Sequence, residues 1–349
     1  MKPNDMNPRF PLTSMQQGML FHTLYDTTSG IDIIQILGDF PETLNVPAFQ
    51  TAWEQLLAHH AVLRTCFRWQ GLDAPLQQVM PHVTPAWQFT DWRQLSPQEQ
   101  DEALYAFLQI DRRRGFDLAQ APLLRFALFQ CQEHRYQFVW TFHHILLDGR
   151  SFPIILQELF TLYDAIRQND HPPSPSDLLP ERRSFQDHLN WLQTQNFEQA
   201  QSFWRQYLQG YDQPVKLPKL PTTYTDASYH EQTINFSDEE TAVLQTFAAT
   251  HDLTLYPLVQ GAWALLLSRY GGTKDVIFGA TRACRRSGAP GAESVVGLLI
   301  NTLPVRLRLP ATQPCLSWLQ ELRAQQRQIW AYEQTPLTKI QAWSQLPAD

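Results

Sequence analysis

Residues 136–142 read Tyr-Gln-Phe-Val-Trp-Thr-Phe, with large apolar groups at every second position and Val139 and Thr141 between them. A strand of this composition has to be covered on both faces. The chain then continues Phe142-His143-His144-Ile145-Leu146-Leu147-Asp148-Gly149-Arg150-Ser151. Two adjacent histidines, a carboxylate and a glycine therefore stand where a buried strand gives way to a helix, which is how a catalytic base is usually mounted. His143 and His144 must point to opposite sides of the strand. Downstream, Ser151 can cap a helix whose first turn holds Pro153, with Ile155, Leu159, Leu162 and Ile166 recurring at helical spacing. The connection from Ile145 to Gly149 is tight. Asp148 is placed to hold it, and Gly149 leaves room for a backbone or a ligand to pass close.

A His-His pair at a strand end is by itself ordinary: one packing residue and one surface residue. No metal site is expected, because adjacent histidines on a strand diverge and no Cys or His cluster completes a tetrahedral set. Neither His22 nor His59-His60 supplies one. The 349 residues suit two lobes rather than one core. Composition, 43% hydrophobic and 17% charged, points to extensive burial, since typical domains carry roughly 25% charged residues. A net charge of −7 without a basic stripe argues against a nucleic-acid partner. Four isolated cysteines, Cys66, Cys131, Cys284 and Cys315, show no metal or redox spacing and read as reduced, mostly buried thiols of a cytoplasmic protein. No apolar run approaches the roughly 18 residues of a membrane span, so no membrane partner is expected.

The stretch Asn169-Asp170-His171-Pro172-Pro173-Ser174-Pro175-Ser176-Asp177 is Pro/Ser-rich and poor in apolar groups. It divides the chain into a first lobe over 1–170, a linker over 171–182 and a second lobe over 183–349. In the first lobe, Asn45 caps a helix carrying Phe49, Trp53, Leu56, Leu57 and His60 on a core-facing stripe. In the second, Leu255, Leu258, Val259, Ala262, Trp263, Leu266 and Leu267 recur with helical periodicity, while 276–279 and 299–307 read as strands.

The histidine tract matches His-His-x-x-x-Asp-Gly, the core motif of the chloramphenicol acetyltransferase-like superfamily. Five further stretches narrow the likeness. They are the openings at Pro11–His22 and His59–Phe67, then Ser184–Trp191 ahead of Phe203-Trp204, then Val296–Arg306, and finally Tyr332–Leu337. In this order the six resemble the motifs of the condensation domain of nonribosomal peptide synthetases, over nearly the whole chain. Arg150 departs from the aromatic residue that many relatives carry after Asp-Gly. The family's seventh motif and its latch segment have no counterpart before Asp349, so the second lobe is expected to be incomplete.

The resemblance implies an α/β fold of two chloramphenicol acetyltransferase-like sandwich lobes in a V-shaped pseudo-dimer, with the histidine tract at the base of the cleft. It implies an acyltransferase that joins a donor acyl or peptidyl thioester to an acceptor aminoacyl thioester. Both substrates ride on the 4′-phosphopantetheine arms of carrier domains, beside an adenylation domain, with no cofactor bound directly. His144 matches the catalytic position, while His143 packs in the core. Asp148 is a structural anion whose partner by likeness is Arg285, with Arg282 and Arg64 as further candidates. Gly149 is placed to bring an N–H to the oxyanion, and Arg150, Ser151 and Asn301 are expected to line the cleft. A free-standing acyltransferase using coenzyme A would share the tract and the fold. A non-catalytic carrier-recruiting module would share the fold without turnover.

Overall fold

The computed structural model describes residues 7–26, 30–169, 174–211, 214–218, 233–310 and 312–344. Internal contacts divide the chain into two compact units, Met1–Gln195 with Ala283–Ile300, and Asn196–Arg282 with Asn301–Asp349.

The first unit begins with β1 (Arg9–Pro11), α1 (Ser14–Tyr25), β2 (Ile33–Phe40) and α2 (Val46–His59). It continues through β3 (Thr65–Arg68), β4 (Leu76–Val79), β5 (Ala86–Asp91), α3 (Pro97–Arg114), β6 (Leu124–Gln132) and β7 (Arg135–His143). Three helices follow, α4 (Ser151–Gln168), the single turn α5 (Pro175–Leu178) and α6 (Phe185–Gln193). The helix starts are chemically specified. Thr13 and Gln16 form a capping box at α1, Ser96 and Glu99 another at α3, and Asn45 accepts the Ala48 N–H at α2.

The main sheet has the order β2-β7-β6-β5, with β5 and β6 parallel and the other pairs antiparallel. Phe126, Leu128, Phe138, Trp140 and Phe142 point to one side, into a core shared with Phe49, Trp53 and Leu56 of α2 and Ile155, Leu159 and Leu162 of α4. Ala127, Phe129, Cys131 and Val139 point to the other side, against Leu104, Phe107 and Leu108 of α3. The apolar residues of β7 are therefore buried on both faces, with Val139 apolar on the face that Gln137 and Thr141 share. A smaller sheet, β1-β4-β3, flanks this core.

The linear division expected at the Pro/Ser-rich stretch differs from the contacts. Residues 170–173 lie outside the described residues. From 174 onward the segment is not a bare spacer. It forms α5, buries Leu179 and places Arg182 Nε 2.5 Å from the carboxylate of Glu158 on α4. The first unit thus runs on through α6 and takes back residues 283–300, a return that no local composition could announce.

The second unit contains α7 (Glu198–Leu208), α8 (Asp238–Thr250), α9 (Leu255–Gly271), the antiparallel pair β8 (Asp275–Arg282) and β9 (Asn301–Arg308), α10 (Cys315–Trp330) and α11 (Leu337–Trp343). Leu299 precedes β9 rather than opening it. In α9 the buried line is Pro257, Gln260, Gly261, Ala264 and Leu267, whereas Leu255, Val259, Trp263 and Leu266 are exposed. Small residues decide this phase. A Cβ at Gly261 would stand 2.8 Å from Leu319 and 3.3 Å from Trp318, so α10 approaches α9 where the side chain is missing.

Trp53 is fully buried, with its ring centroid 4.4 Å from Phe126 and 5.0 Å from Trp140. Trp53→Ala is expected to cost about 3–5 kcal/mol in urea denaturation. Trp53→Phe should cost clearly less, because the indole N–H it removes has no partner among the described residues.

Candidate active site

Strand β7 delivers the two histidines into different surroundings. His143 is buried, its Nδ1 accepting the Ile145 N–H at 3.1 Å and its Nε2 lying 3.0 Å from Thr23 Oγ1 on α1. With Nδ1 accepting, the neutral ring carries its proton on Nε2 and donates to Thr23. Burial, seconded by the neighbouring His144, pushes its pKa down to about 3. His144 is half-buried. Its backbone N–H donates to Asp32 O at 2.7 Å, and its Nδ1 is buried without a partner among the described residues.

The connection that follows is held from within. Ile145, Leu146 and Leu147 are fully buried, and the Gln16 side chain of α1 donates to Ile145 O at 3.3 Å. Asp148 is fully buried with both oxygens occupied. Oδ1 accepts from Arg285 Nη2 at 2.6 Å and from the N–H groups of Arg150 and Ser151 at 3.1 and 3.2 Å. Oδ2 accepts from the Leu299 N–H at 2.9 Å. Arg285 in turn donates to Ala292 O at 3.0 Å and Val295 O at 2.6 Å. The segment 283–300 is thereby tied to the connection after β7. Close packing seals the junction, since a Cβ at Gly297 would fall 2.4 Å from the Phe185 ring.

Ser151 does not cap α4; Arg150 holds the cap position without a side-chain cap bond. Ser151 is the first helical residue, and Asp148 Oδ1 receives the free amides at the helix start. The Ser151 hydroxyl accepts from Gly297 N at 3.0 Å and Arg285 Nη2 at 3.1 Å, and it faces Gly297 O at 2.9 Å. It is fully buried and so lines no open surface. Gly149 and Arg150 are exposed, and a Cβ at Gly149 would meet nothing within 4 Å. The space beside Gly149 is open, and the close backbone approach expected there occurs at Gly297 instead.

Of the three candidate arginines for Asp148, Arg285 makes the contact. Arg282 donates to Gln326 Oε1 at 2.8 Å and lies 3.8 Å from Glu333. Arg64 is spent on main-chain carbonyls, at 2.9 Å from Leu57 O and 3.1 Å from Pro81 O, with Met80 O a further acceptor. Asn301 is buried, and its amide donates to Glu333 O at 2.9 Å and Thr335 O at 2.7 Å, which leaves no amide proton for a ligand. His60 faces Glu158 at 2.5 Å, a structural contact.

Two further residues near the tract, His188 in the Ser184–Trp191 stretch and Asp32, are not among the candidate site residues. His188 of α6 is buried, stacked between Phe185 and Trp191, with its pKa lowered to about 4 by burial and then by Arg285, against the pull of Asp148. Asp32, just ahead of β2, has a buried Oδ2 without a partner among the described residues, and burial raises its pKa against the pull of His22 and His144. Only strand pairing could have found it. No group of three potential metal ligands occurs among the described residues. A polar cleft of about 550 Å³ in the second unit is lined by Tyr207, Arg306, Trp318 and Gln325. Its charge is already matched, since Arg306 pairs with Asp275 at 2.6 Å. No helix among the described residues is long and apolar enough to cross a membrane.

The site is the end of a sheet buried on both faces, a histidine pair and a clamped aspartate, and comparison supplies the family. The Condensation domain model matches residues 6–349, and the chain belongs to the condensation domain family. A linear gramicidin synthase polypeptide of Brevibacillus parabrevis is 43% identical over 341 residues, covering 97% of this chain and 4% of the relative. Bacitracin synthase 3 of Bacillus licheniformis is 36% identical over 345 residues, covering 97% of this chain and 5% of the relative. The chain thus spans a small part of the length of these curated relatives. A mutant starter condensation domain of rhizomide synthetase in complex with C8-CoA superposes with a TM-score of 0.80 at 18% identity, covering 97% of this chain and 76% of that one. The first condensation domain of the CDA synthetase gives 0.75 at 17%, covering 94% and 77%. The fold is the mixed α/β fold of condensation domains.

Removing either member of the buried ion pair strands the other. Asp148→Ala and Arg285→Ala are each expected to cost about 3–5 kcal/mol in denaturant melts. The double variant should lose less than the sum of the two, as contacting residues do in a double-mutant cycle.

The two buried imidazoles set a pH dependence. Their folded pKa values, about 3 for His143 and about 4 for His188, lie below the ordinary 6.5. The unfolded chain therefore binds more protons, and stability is full above about 6.5 and falls as the pH drops toward 3, by a few kcal/mol. Melts across this range should show that slope, and His143→Gln should flatten it.

Proposed function

We propose that this condensation domain forms an amide bond between two carrier-bound substrates, with His144 as the proton acceptor. One observation carries the assignment. Of the two adjacent histidines, His143 has both ring nitrogens engaged, whereas the half-buried His144 ring makes no hydrogen bond among the described residues. A base must reach its substrate and keep a ring nitrogen free to accept the proton, which His143 does not.

The acceptor amine attacks the donor thioester carbonyl, forming the C–N bond. As the tetrahedral intermediate collapses, the C–S bond breaks. His144 takes the ammonium proton and the departing thiolate is protonated in turn. Orientation outweighs deprotonation here. An α-amino group with a pKa of roughly 7.7–8 is already about a tenth neutral near pH 7, so creating the nucleophile costs only about 1 kcal/mol. Holding the two arms and accepting a proton in the transition state contribute far more. The open space at Gly149 suits its N–H to the developing oxyanion.

The partners in this reading are a donor and an acceptor carrier domain bearing 4′-phosphopantetheine, and an adjacent adenylation domain. The relatives that support it are synthetase polypeptides much longer than this chain, and a four-domain nonribosomal peptide synthetase superposes with a TM-score of 0.75 over 26% of its length. A cytoplasmic location fits the four cysteines, none of them in a disulfide among the described residues and three of them buried.

His144→Ala is expected to slow amide formation between loaded carriers by about a hundredfold or more while leaving the melting temperature unchanged. His143→Ala should instead lower the melting temperature, because it removes the buried contacts to Thr23 and Ile145. Equal turnover by His144→Ala and the parent protein would overturn the assignment.

A further inference from the structure

The β2–β7 ladder pairs Ile33 with His143 and Ile34 with Phe142. Carried one step past its end, the same register sets Asp32 opposite His144, and the hydrogen bond from His144 N–H to Asp32 O at 2.7 Å makes that step. Residues directly opposed across an antiparallel pair leave the same face, with Cβ atoms about 5 Å apart. Asp32 and His144 are therefore side-chain neighbours, although the sequence separates them by several elements. Each holds a buried polar atom without a partner among the described residues, Oδ2 of Asp32 and Nδ1 of His144. Buried polar atoms are rarely left so, and a carboxylate oxygen and an imidazole N–H are complementary.

We propose that Asp32 is the positioning residue of His144, its carboxylate accepting the Nδ1 proton directly or through one water, so that Nε2 is left as the acceptor facing the substrate amine. The inference rests on His144 being the base, and it deepens that reading. Asp148 cannot fill the role, since both of its oxygens are occupied by Arg285 and by main-chain amides. A carboxylate that fixes the tautomer of a neighbouring imidazole also stabilises the imidazolium formed when the ring takes a proton.

The charged groups around Asp32 are few. His22 of α1 and His144 both act on its carboxylate, and burial opposes its ionisation. Arg112 of α3 comes close but is spent on carbonyls, at 2.8 Å from Ile33 O and 3.5 Å from Gly30 O. With its pKa raised from the ordinary value by burial, Asp32 loses its charge as the pH falls through that raised value. The support to His144 should fade at the same point.

The test uses protein labelled with ¹⁵N-histidine, with His144→Ala assigning the resonance. Near pH 8 the neutral His144 ring is expected as the Nδ1–H tautomer, and Asp32→Asn should move it toward Nε2–H. The same variant should slow amide formation by about ten- to a hundredfold, move the acid limb of the pH–rate profile, and leave the melting temperature and the KM for loaded carriers unchanged. Asp32→Glu should recover part of both the tautomer signal and the rate. An unchanged tautomer in Asp32→Asn overturns the proposal, as does a rate loss accompanied only by a lower melting temperature. Full activity in His144→Ala would instead remove the base assignment while leaving the tautomer result standing, so the two failures are distinguishable.

Discussion

The contact between Asp148 and Arg285 is the constraint on which the arrangement of the site depends. A buried ion pair is a poor source of net stability, because desolvating two charges offsets most of their attraction, and a well-packed apolar pair often does as well. What the pair supplies here is direction. Asp148 receives the guanidinium, two amides at the start of α4 and the amide of Leu299. Arg285 meanwhile grips the carbonyls of Ala292 and Val295. Three pieces of main chain are held at fixed angles: the connection after β7, the first turn of α4, and the returning segment 283–300. An apolar pair would fill the same volume without specifying those angles.

That clamp explains why the two histidines can be adjacent and still behave differently. A period of two sends their rings to opposite faces, but pleat alone does not decide which one is committed. The turn after β7 does, by bringing the Ile145 N–H back onto His143 Nδ1 while Thr23 meets the other nitrogen. The buried run Ile145-Leu146-Leu147 fixes the turn from the apolar side and Asp148 fixes it from the polar side. His144 is left on a rigid support with its own ring uncommitted, which is the condition for a group that has to meet a substrate.

Much of this is legible in the sequence, and the parts that are not share a physical cause. The two-faced burial of β7, the cap at Asn45, the inward stripe of α2 and the partnership of Asp148 with Arg285 follow from local pattern or from family likeness. Serine fits a cap by propensity, which makes Ser151 the natural choice, and only the fold shows that the helix begins at Ser151 itself, with Asp148 receiving the Arg150 and Ser151 amides. The outward phase of α9 is hidden because Gly261 and Ala264 bury without looking apolar, while its larger residues stay exposed. Asp32 carries no local signal at all, and Gly297, though inside a family-like stretch, gives no sign of what it packs against. Their significance exists only once β2 lies beside β7 and Phe185 lies beside the returning segment.

The electrostatic setting of His144 follows from how the neighbouring titratable groups are disposed. His143 and His188 are driven by burial to about 3 and about 4, so neither changes charge in the range where an amine nucleophile is useful. Asp148 and Arg285 cancel one another at 2.6 Å. The charge on those two histidines is therefore constant across that range. Buried groups that cannot titrate cost stability in acid, but they keep a nearby proton transfer from being shared among several sites. Asp32 is the exception among the neighbours, a half-buried carboxylate whose Oδ2 has no partner among the described residues, held against the strand that carries His144. A fold that pairs Asp148 with Arg285 and leaves one carboxylate opposite the proposed base concentrates the remaining electrostatic influence on that single pair.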